Sequence, residues 1–273
     1  MGSIGIFDSG YGGLTVLKEI VKELPQYHYT YLGDNARAPY GNRSFETVYE
    51  YTWQCVQWFF NQGCSLVILA CNTASAKALR NIQQHNLPAL NDISKRVLGV
   101  IRPTTEVIGS YSTTGCVGIV GTSGTIQSNS YLIEIAKFFP QLTVYQEACP
   151  MWVPLIENNE HNNAGADYFV QQHLESLFQK NKQIDTLLLA CTHYPLFLQK
   201  LQQFIPSHIN IVAQGSIVAK SLAYYLNRHP TIEQNCLHQP AIDFYTTDNP
   251  ADFDTKAAIF WGNAVRSKHA AIV

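Results

Sequence analysis

Leu187-Leu188-Leu189-Ala190-Cys191-Thr192-His193-Tyr194 and, 120 residues earlier, Val67-Ile68-Leu69-Ala70-Cys71-Asn72-Thr73-Ala74 share one design. An apolar run stops at Ala-Cys and passes into small or polar hydrogen-bonding residues. An uninterrupted apolar run of this length reads as a strand buried on both faces of a parallel sheet. The residue just past its end lies at the carboxyl edge of the strands, where open α/β sheets bind ligands. Two cysteines therefore occupy equivalent places.

The echo extends to the strand that opens each half. Ile4-Gly5-Ile6-Phe7-Asp8-Ser9-Gly10 is repeated 113 residues later by Val117-Gly118-Ile119-Val120-Gly121-Thr122-Ser123. Similar offsets at two separate motifs predict a duplicated unit. The predicted fold class is α/β, with two similar lobes, each a mostly parallel sheet flanked by helices. The lobes are expected to be related by a pseudo-twofold axis, with the active site between them. Residues 1–98 and 212–273 are assigned to the first lobe, with Asp8 and Cys71, and residues 99–211 to the second, with Cys191 and His193.

Composition excludes several classes. A chain of 273 residues is long enough for two α/β lobes. A formal charge of −2 gives no basic field for nucleic acid. No apolar run approaches the roughly 20 residues that span a bilayer. No signal peptide is visible, and seven cysteines, an odd count, point to reduced thiols in a cytoplasm. The sequence has no Cys-x-x-Cys or His-x-x-x-His pair, so no metal site is expected.

Along the chain, Asp8-Ser9-Gly10-Tyr11-Gly12-Gly13 forms a glycine-rich turn between a first strand and a helix over 14–24. Such a turn exposes backbone amides at a helix N-terminus, where an anion is favoured. A strand over 28–33, a polar loop over 34–43 and a helix over 44–62 follow. The helix after Cys71 is expected to run to about residue 85, and its N-terminus favours a thiolate at Cys71. Residues 86–115 read as the crossing between lobes, and 149–157 as an irregular segment. Strands over 210–212 and 242–247 and helices over 216–228 and 251–261 complete the chain.

Cysteine is more often a small core residue than a catalyst. That reading applies to Cys55, Cys64, Cys116, Cys149 and Cys236. For Cys71 and Cys191, the matched strand ends and the polar residues that follow outweigh it. His193, two residues past Cys191, is a candidate catalytic partner. Asp8 ends the strand expected beside the Cys71 strand, although caps and turns are common uses of such an Asp. Glu157 reads as an exposed helix or loop carboxylate. Two thiols on opposite faces of one carbon suit two-base racemisation: one removes a proton, and the other delivers one.

Taken together, Asp8-Ser9-Gly10 through Gly13, Gly33-Asp34 through Pro39-Tyr40-Gly41, Ala70-Cys71-Asn72-Thr73-Ala74, Ala190-Cys191-Thr192-His193-Tyr194-Pro195 and Phe244-Tyr245-Thr246-Thr247 resemble the glutamate racemases of the cofactor-independent aspartate/glutamate racemase superfamily. The resemblance implies interconversion of L- and D-glutamate, which supplies D-glutamate for peptidoglycan. It implies no cofactor. Cys71 would act on the D-enantiomer and Cys191 on the L-enantiomer, with Asp8 and His193 as polar partners and Glu157 assisting the second thiol. Asp8, Ser9, Tyr40, Gly41, Asn72, Thr73, Thr122, Thr192 and His193 would hold the substrate. Oligomeric state is not readable from the residues; relatives are often homodimers, and a homodimer here rests on that analogy alone. Ala213-Gln214-Gly215 departs from the pattern, since many relatives have Asp or Asn followed by Pro-Gly or a similar turn there. The remaining alternatives are a relative acting on aspartate or a hydantoin, a non-catalytic binding protein for an acidic amino acid, and a cysteine hydrolase, which would leave the second thiol unexplained.

Overall fold

The computed structural model describes residues 1–272. In chain order the strands are β1 (Ile4–Asp8), β2 (His28–Gly33), β3 (Leu66–Leu69), β4 (Arg96–Gly99), β5 (Cys116–Gly121), β6 (Thr143–Ala148), β7 (Thr186–Ala190), β8 (Asn210–Val212), β9 (Ala241–Thr246) and β10 (Ser267–His269). They form two sheets, ordered β10-β9-β2-β1-β3-β4 and β6-β5-β7-β8. Every pairing in both is parallel.

Within these orders β2-β1-β3-β4 and β6-β5-β7-β8 are the same arrangement met twice. In each, the chain leaves the first strand to one side and then returns to the other. The crevice at that switch opens at the carboxyl ends of the strands and is the ligand position of a doubly wound sheet. In the first sheet it falls between β1 and β3, and in the second between β5 and β7. The β1–β3 register ends at Phe7 opposite Leu69, so Asp8 and Cys71 emerge side by side. The β5–β7 register ends at Gly121 opposite Ala190, which brings out Thr122 and Cys191 in the same way.

The apolar runs take these central places because helices cover both sheet faces. Every residue of β1, β3 and β7 is buried, and burying each Leu, Ile or Val side chain contributes about 1.5–3 kcal/mol. Helix Gly13–Glu23 buries Leu14, Val16, Leu17 and Ile20. Helix Gly215–Arg228 lies against it and buries Ile217, Val218, Leu222 and Leu226. The chain thus returns from β8 to the first sheet, where β9 and β10 extend the edge beyond β2.

The structure corrects four local expectations. Residues 96–99, read as part of a crossing, form β4 at a sheet edge, where only Val97 is fully covered. Residues 152–157, read as irregular, form a helix; Pro154 lies in its first turn, where a missing N–H costs nothing. The helix after Cys71 breaks at Ala78 and resumes at Leu79–Asn81, and a π-helical stretch at Ile82–Asn86 carries the helical course past residue 85; the break and the π-helical stretch are what the sequence reading lacked. Strand β10 was not anticipated, since Ser-Lys-His carries no apolar pattern and pairs only along the edge of β9. Among the described residues, no helix is long and apolar enough to cross a membrane.

Candidate active site

Cys71 is the N-cap of helix Asn72–Lys77, and its sulfur accepts from the Ala74 N–H at 3.4 Å. Ser9 Oγ lies 3.4 Å from the same sulfur. The helix end favours a thiolate, but burial outweighs it. The thiol, 6% exposed, is pushed up to about 12, first by desolvation and then by the Asp8 charge; Ser9 and the Ala74 N–H oppose the shift. Burial thus corrects the expectation drawn from the helix end, and the neutral thiol of Cys71 is favoured.

Asp8 is fully buried between the two cysteine motifs. Its Oδ1 accepts from Gly10 N–H at 2.9 Å, and its Oδ2 accepts from Thr192 Oγ1 at 3.3 Å. Desolvation pushes the carboxyl above its ordinary value, although the His193 charge, the Gly10 and Gly13 N–H groups and the Thr192 hydroxyl all pull it down. Asp8 therefore touches the residue after Cys191 while raising the Cys71 thiol from close by.

On the second side Cys191 Sγ lies 3.9 Å from His193 Nδ1, and His193 Nε2 lies 2.8 Å from Glu157 Oε1. Burial alone would pull the imidazole down. Hydrogen bonds and charge at Cys191 and Glu157 outweigh it and push His193 up to about 10, which makes it a cation at neutral pH. Glu157, read from sequence as exposed, is half-buried at the end of helix Trp152–Glu157 and paired with this ring. The Phe260 ring stands edge-on to the same imidazole, with centroids 5.1 Å apart. Gly12 crowds it from the opposite half of the chain: a Cβ there would lie 2.3 Å from His193 Nδ1 and 2.3 Å from Thr192 Oγ1.

Hydroxyls and backbone link the other candidates. Thr73 Oγ1 lies 2.9 Å from Thr122 Oγ1, across the two sheets, and Thr122 caps helix Ser123–Gln127. Gly124 N–H donates to Gly41 O at 2.7 Å. Thr15 Oγ1 donates to Thr192 O at 2.8 Å. Two predicted substrate ligands have their polar side-chain atoms engaged within the protein. The Tyr40 hydroxyl donates to Asp34, which also pairs with Arg37 at 2.7 Å. Asn72 donates to Gln214 Oε1 at 2.7 Å and accepts from Tyr131 at 2.6 Å. Sequence reading passed over Gly12, Gln214 and Phe260 as site residues. Their contacts join segments far apart in the chain and leave no local spacing signal. All seven thiols are free.

The family model described as Asp/Glu/Hydantoin racemase matches residues 4–221, which include both cysteine strands and their loops. The chain belongs to this racemase family. A glutamate racemase of Streptococcus suis is 36% identical over 271 residues, 97% of this chain and 97% of that protein. The solved glutamate racemase isoform RacE1 of Bacillus anthracis is 31% identical, covers 99% of this chain and 98% of its own, and has a TM-score of 0.89. The glutamate racemase of Francisella tularensis, solved in complex with D-glutamate, is 28% identical, covers 99% and 98%, and has a TM-score of 0.87. The racemase likeness read from the motifs thus spans the whole chain. The two-sheet fold is that of these structures, and the protein is an amino-acid racemase, an isomerase.

Proposed function

We propose that this racemase interconverts L- and D-glutamate without a cofactor, with Cys71 and Cys191 as the two acid–base groups. The observation that carries the reading is the pair of thiols at the switch points of two repeated sheets, joined through Asp8 and Thr192. From D-glutamate, the Cys71 thiolate takes the α-proton and becomes a thiol. The Cys191 thiol gives its proton to the opposite face and becomes a thiolate. The reverse direction exchanges the roles.

The polar partners divide between the thiols. Cys71 has Ser9, the Ala74 N–H and the Asp8 carboxyl within its field. Cys191 has the His193 cation, which Glu157 holds by its far nitrogen. The loops after β1 and β5, each opening a helix at the carboxyl edge of its sheet, suit the two carboxylates of glutamate. Near-complete burial of both thiols keeps bulk water from the carbanionic carbon. The biological reading is supply of D-glutamate for peptidoglycan, and so for the cell wall and cell shape, in the cytoplasm.

Incubation with L-glutamate in deuterated water, with no added cofactor, tests the reading. Loss of optical rotation with deuterium at the α-carbon is expected. Cys71→Ser and Cys191→Ser should each lower turnover by about 10²–10⁴-fold, the range of a general acid or base. Near-normal turnover in both directions with either variant would defeat the two-thiol mechanism. Exchange with aspartate or a hydantoin but not glutamate would keep the chemistry and change the substrate.

A further inference from the structure

Gln214 is the middle residue of Ala213-Gln214-Gly215, which leads from β8 into helix Gly215–Arg228. It is 4% exposed, and its amide is fully engaged. Oε1 accepts from Asn72 Nδ2 at 2.7 Å. Nε2 donates to the Tyr131 hydroxyl at 2.7 Å, with Thr104 Oγ1 at 2.9 Å and Val100 O at 3.3 Å as further acceptors. The Tyr131 hydroxyl in turn donates to Asn72 Oδ1 at 2.6 Å. Asn72, Gln214 and Tyr131 thus close a buried ring in which each bond fixes the direction of the next. Turning either amide over would set donor against donor and acceptor against acceptor.

Asn72 follows Cys71 and opens the helix that Cys71 caps. That helix runs six residues before its break at Ala78, so contacts outside it share in fixing its first turn. The direction of the Cys71 thiol therefore depends on what anchors the first turn. For Asn72 those anchors are Tyr131, on helix Ser130–Phe138, and Gln214, just after β8, while Thr73 is held separately by Thr122. None of the ring's hydrogen bonds reaches residues 191–193. Burial, and to a lesser degree the charge at Cys191, holds the Tyr131 hydroxyl well above its ordinary value, so it remains a donor throughout the working pH range.

We propose that Gln214 is a positioning residue for Cys71: with Tyr131 it clamps Asn72, and so aims the thiol that caps the Asn72–Lys77 helix. The proposal rests on the two-thiol reading above, with Cys71 acting on D-glutamate. Gln214→Leu removes every bond of the amide at similar volume. Tyr131→Phe removes one oxygen and keeps the ring. Loss of such bonds is expected to lower kcat/KM about tenfold, and by the same factor in both directions because one equilibrium links them.

The α-deuterium isotope effect identifies the thiol involved. The α-deuteron of D-glutamate passes to Cys71, and that of L-glutamate to Cys191. In both variants the effect on kcat/KM should rise with D-glutamate and fall with L-glutamate, because slower proton delivery from Cys71 makes the Cys191 step less rate-limiting. Melting temperatures establish which variants are folded, and Tyr131→Phe carries the test if Gln214→Leu does not fold. Effects that stay put, rise equally, or rise only with L-glutamate would overturn the proposal. The unaltered protein is measured alongside; failure to racemise glutamate there would sink the underlying functional reading instead.

Discussion

His193 sets the electrostatics at the scale of one residue. Its ring nitrogens face Cys191 and Glu157, and those partners push it from an ordinary 6.5 to about 10 against the pull of burial. A group whose folded value lies above its unfolded one stabilises the fold fully below the unfolded value. That stabilisation is lost as pH rises through the folded value. The difference in unfolding free energy between the unaltered protein and His193→Gln is therefore expected to be constant below about pH 6.5 and to shrink toward pH 10. Denaturant titrations across that window read it directly, and a difference independent of pH would mean that the imidazole is neutral in the native state. At pH 7 the same variant should lose about 10²–10⁴-fold in turnover, the usual contribution of a positioned proton-transfer group. Much of this site is legible in sequence. Cys71, Cys191 and His193 follow apolar runs, and strand order brings Asp8 to them. The charge state of Cys71 was not legible, because a helix N-terminus is visible in a sequence and the dryness around it is not.

Strand β7 shows what an element needs at each end. Its carboxyl end delivers Cys191, and its amino end is fastened by Asp185. That carboxylate accepts from Ser112 Oγ at 2.6 Å, Thr113 N at 2.7 Å, Thr113 Oγ1 at 2.9 Å and Thr114 N at 2.9 Å. Burial pushes the carboxyl up, and these four donors outweigh it and hold it well below the usual carboxylate range. A depressed value stabilises the fold above the ordinary value, and that stabilisation is lost as pH falls below it. Asp185→Ala is expected to cost about 1.5–3 kcal/mol at neutral pH, the range for hydrogen bonds to a charged group. Its deficit should shrink in acid below about pH 4, with kcat preserved where the variant is folded, since the change lies at the far end of the strand from the thiol. Strands such as β3 and β7 could be read because both faces are covered, so their sequence is continuously apolar. The edge strands β4 and β10 were missed, since Arg96-Val97-Leu98-Gly99 and Ser267-Lys268-His269 carry no continuous apolar run.

Across the whole molecule the two halves share a strand order but not a chemistry. Where the first half has Asp8-Ser9 beside Cys71, the second has Gly121-Thr122 beside Cys191; where the second has His193, the first has Thr73. The duplicated scaffold thus holds one thiol near a carboxyl and the other against an imidazolium, an asymmetry suited to groups that must differ in protonation at every instant. Residue offsets alone made the duplication legible. The contacts between halves were not, because they join residues far apart in the chain, from 49 positions for Thr73 and Thr122 to 184 for Asp8 and Thr192. Gly12 is where this matters most. Thr15 Oγ1 bonds both Gly12 O and Thr192 O, drawing the loop after β1 onto the Cys191 motif. A Cβ at position 12 would sit 2.3 Å from both His193 Nδ1 and Thr192 Oγ1, a separation no structure tolerates. Glu157 and Phe260 already confine His193, so the ring cannot turn aside without giving up its place against Cys191. Gly12→Ala is therefore expected to push the halves apart at the site and lower kcat/KM by 10²-fold or so, the cost of roughly an ångström of misplacement. The melting temperature should fall by only a few degrees, since the cores of both sheets are untouched. Steady-state kinetics and thermal melts on the same preparation decide it. Full activity would mean that the halves do not approach this closely during turnover.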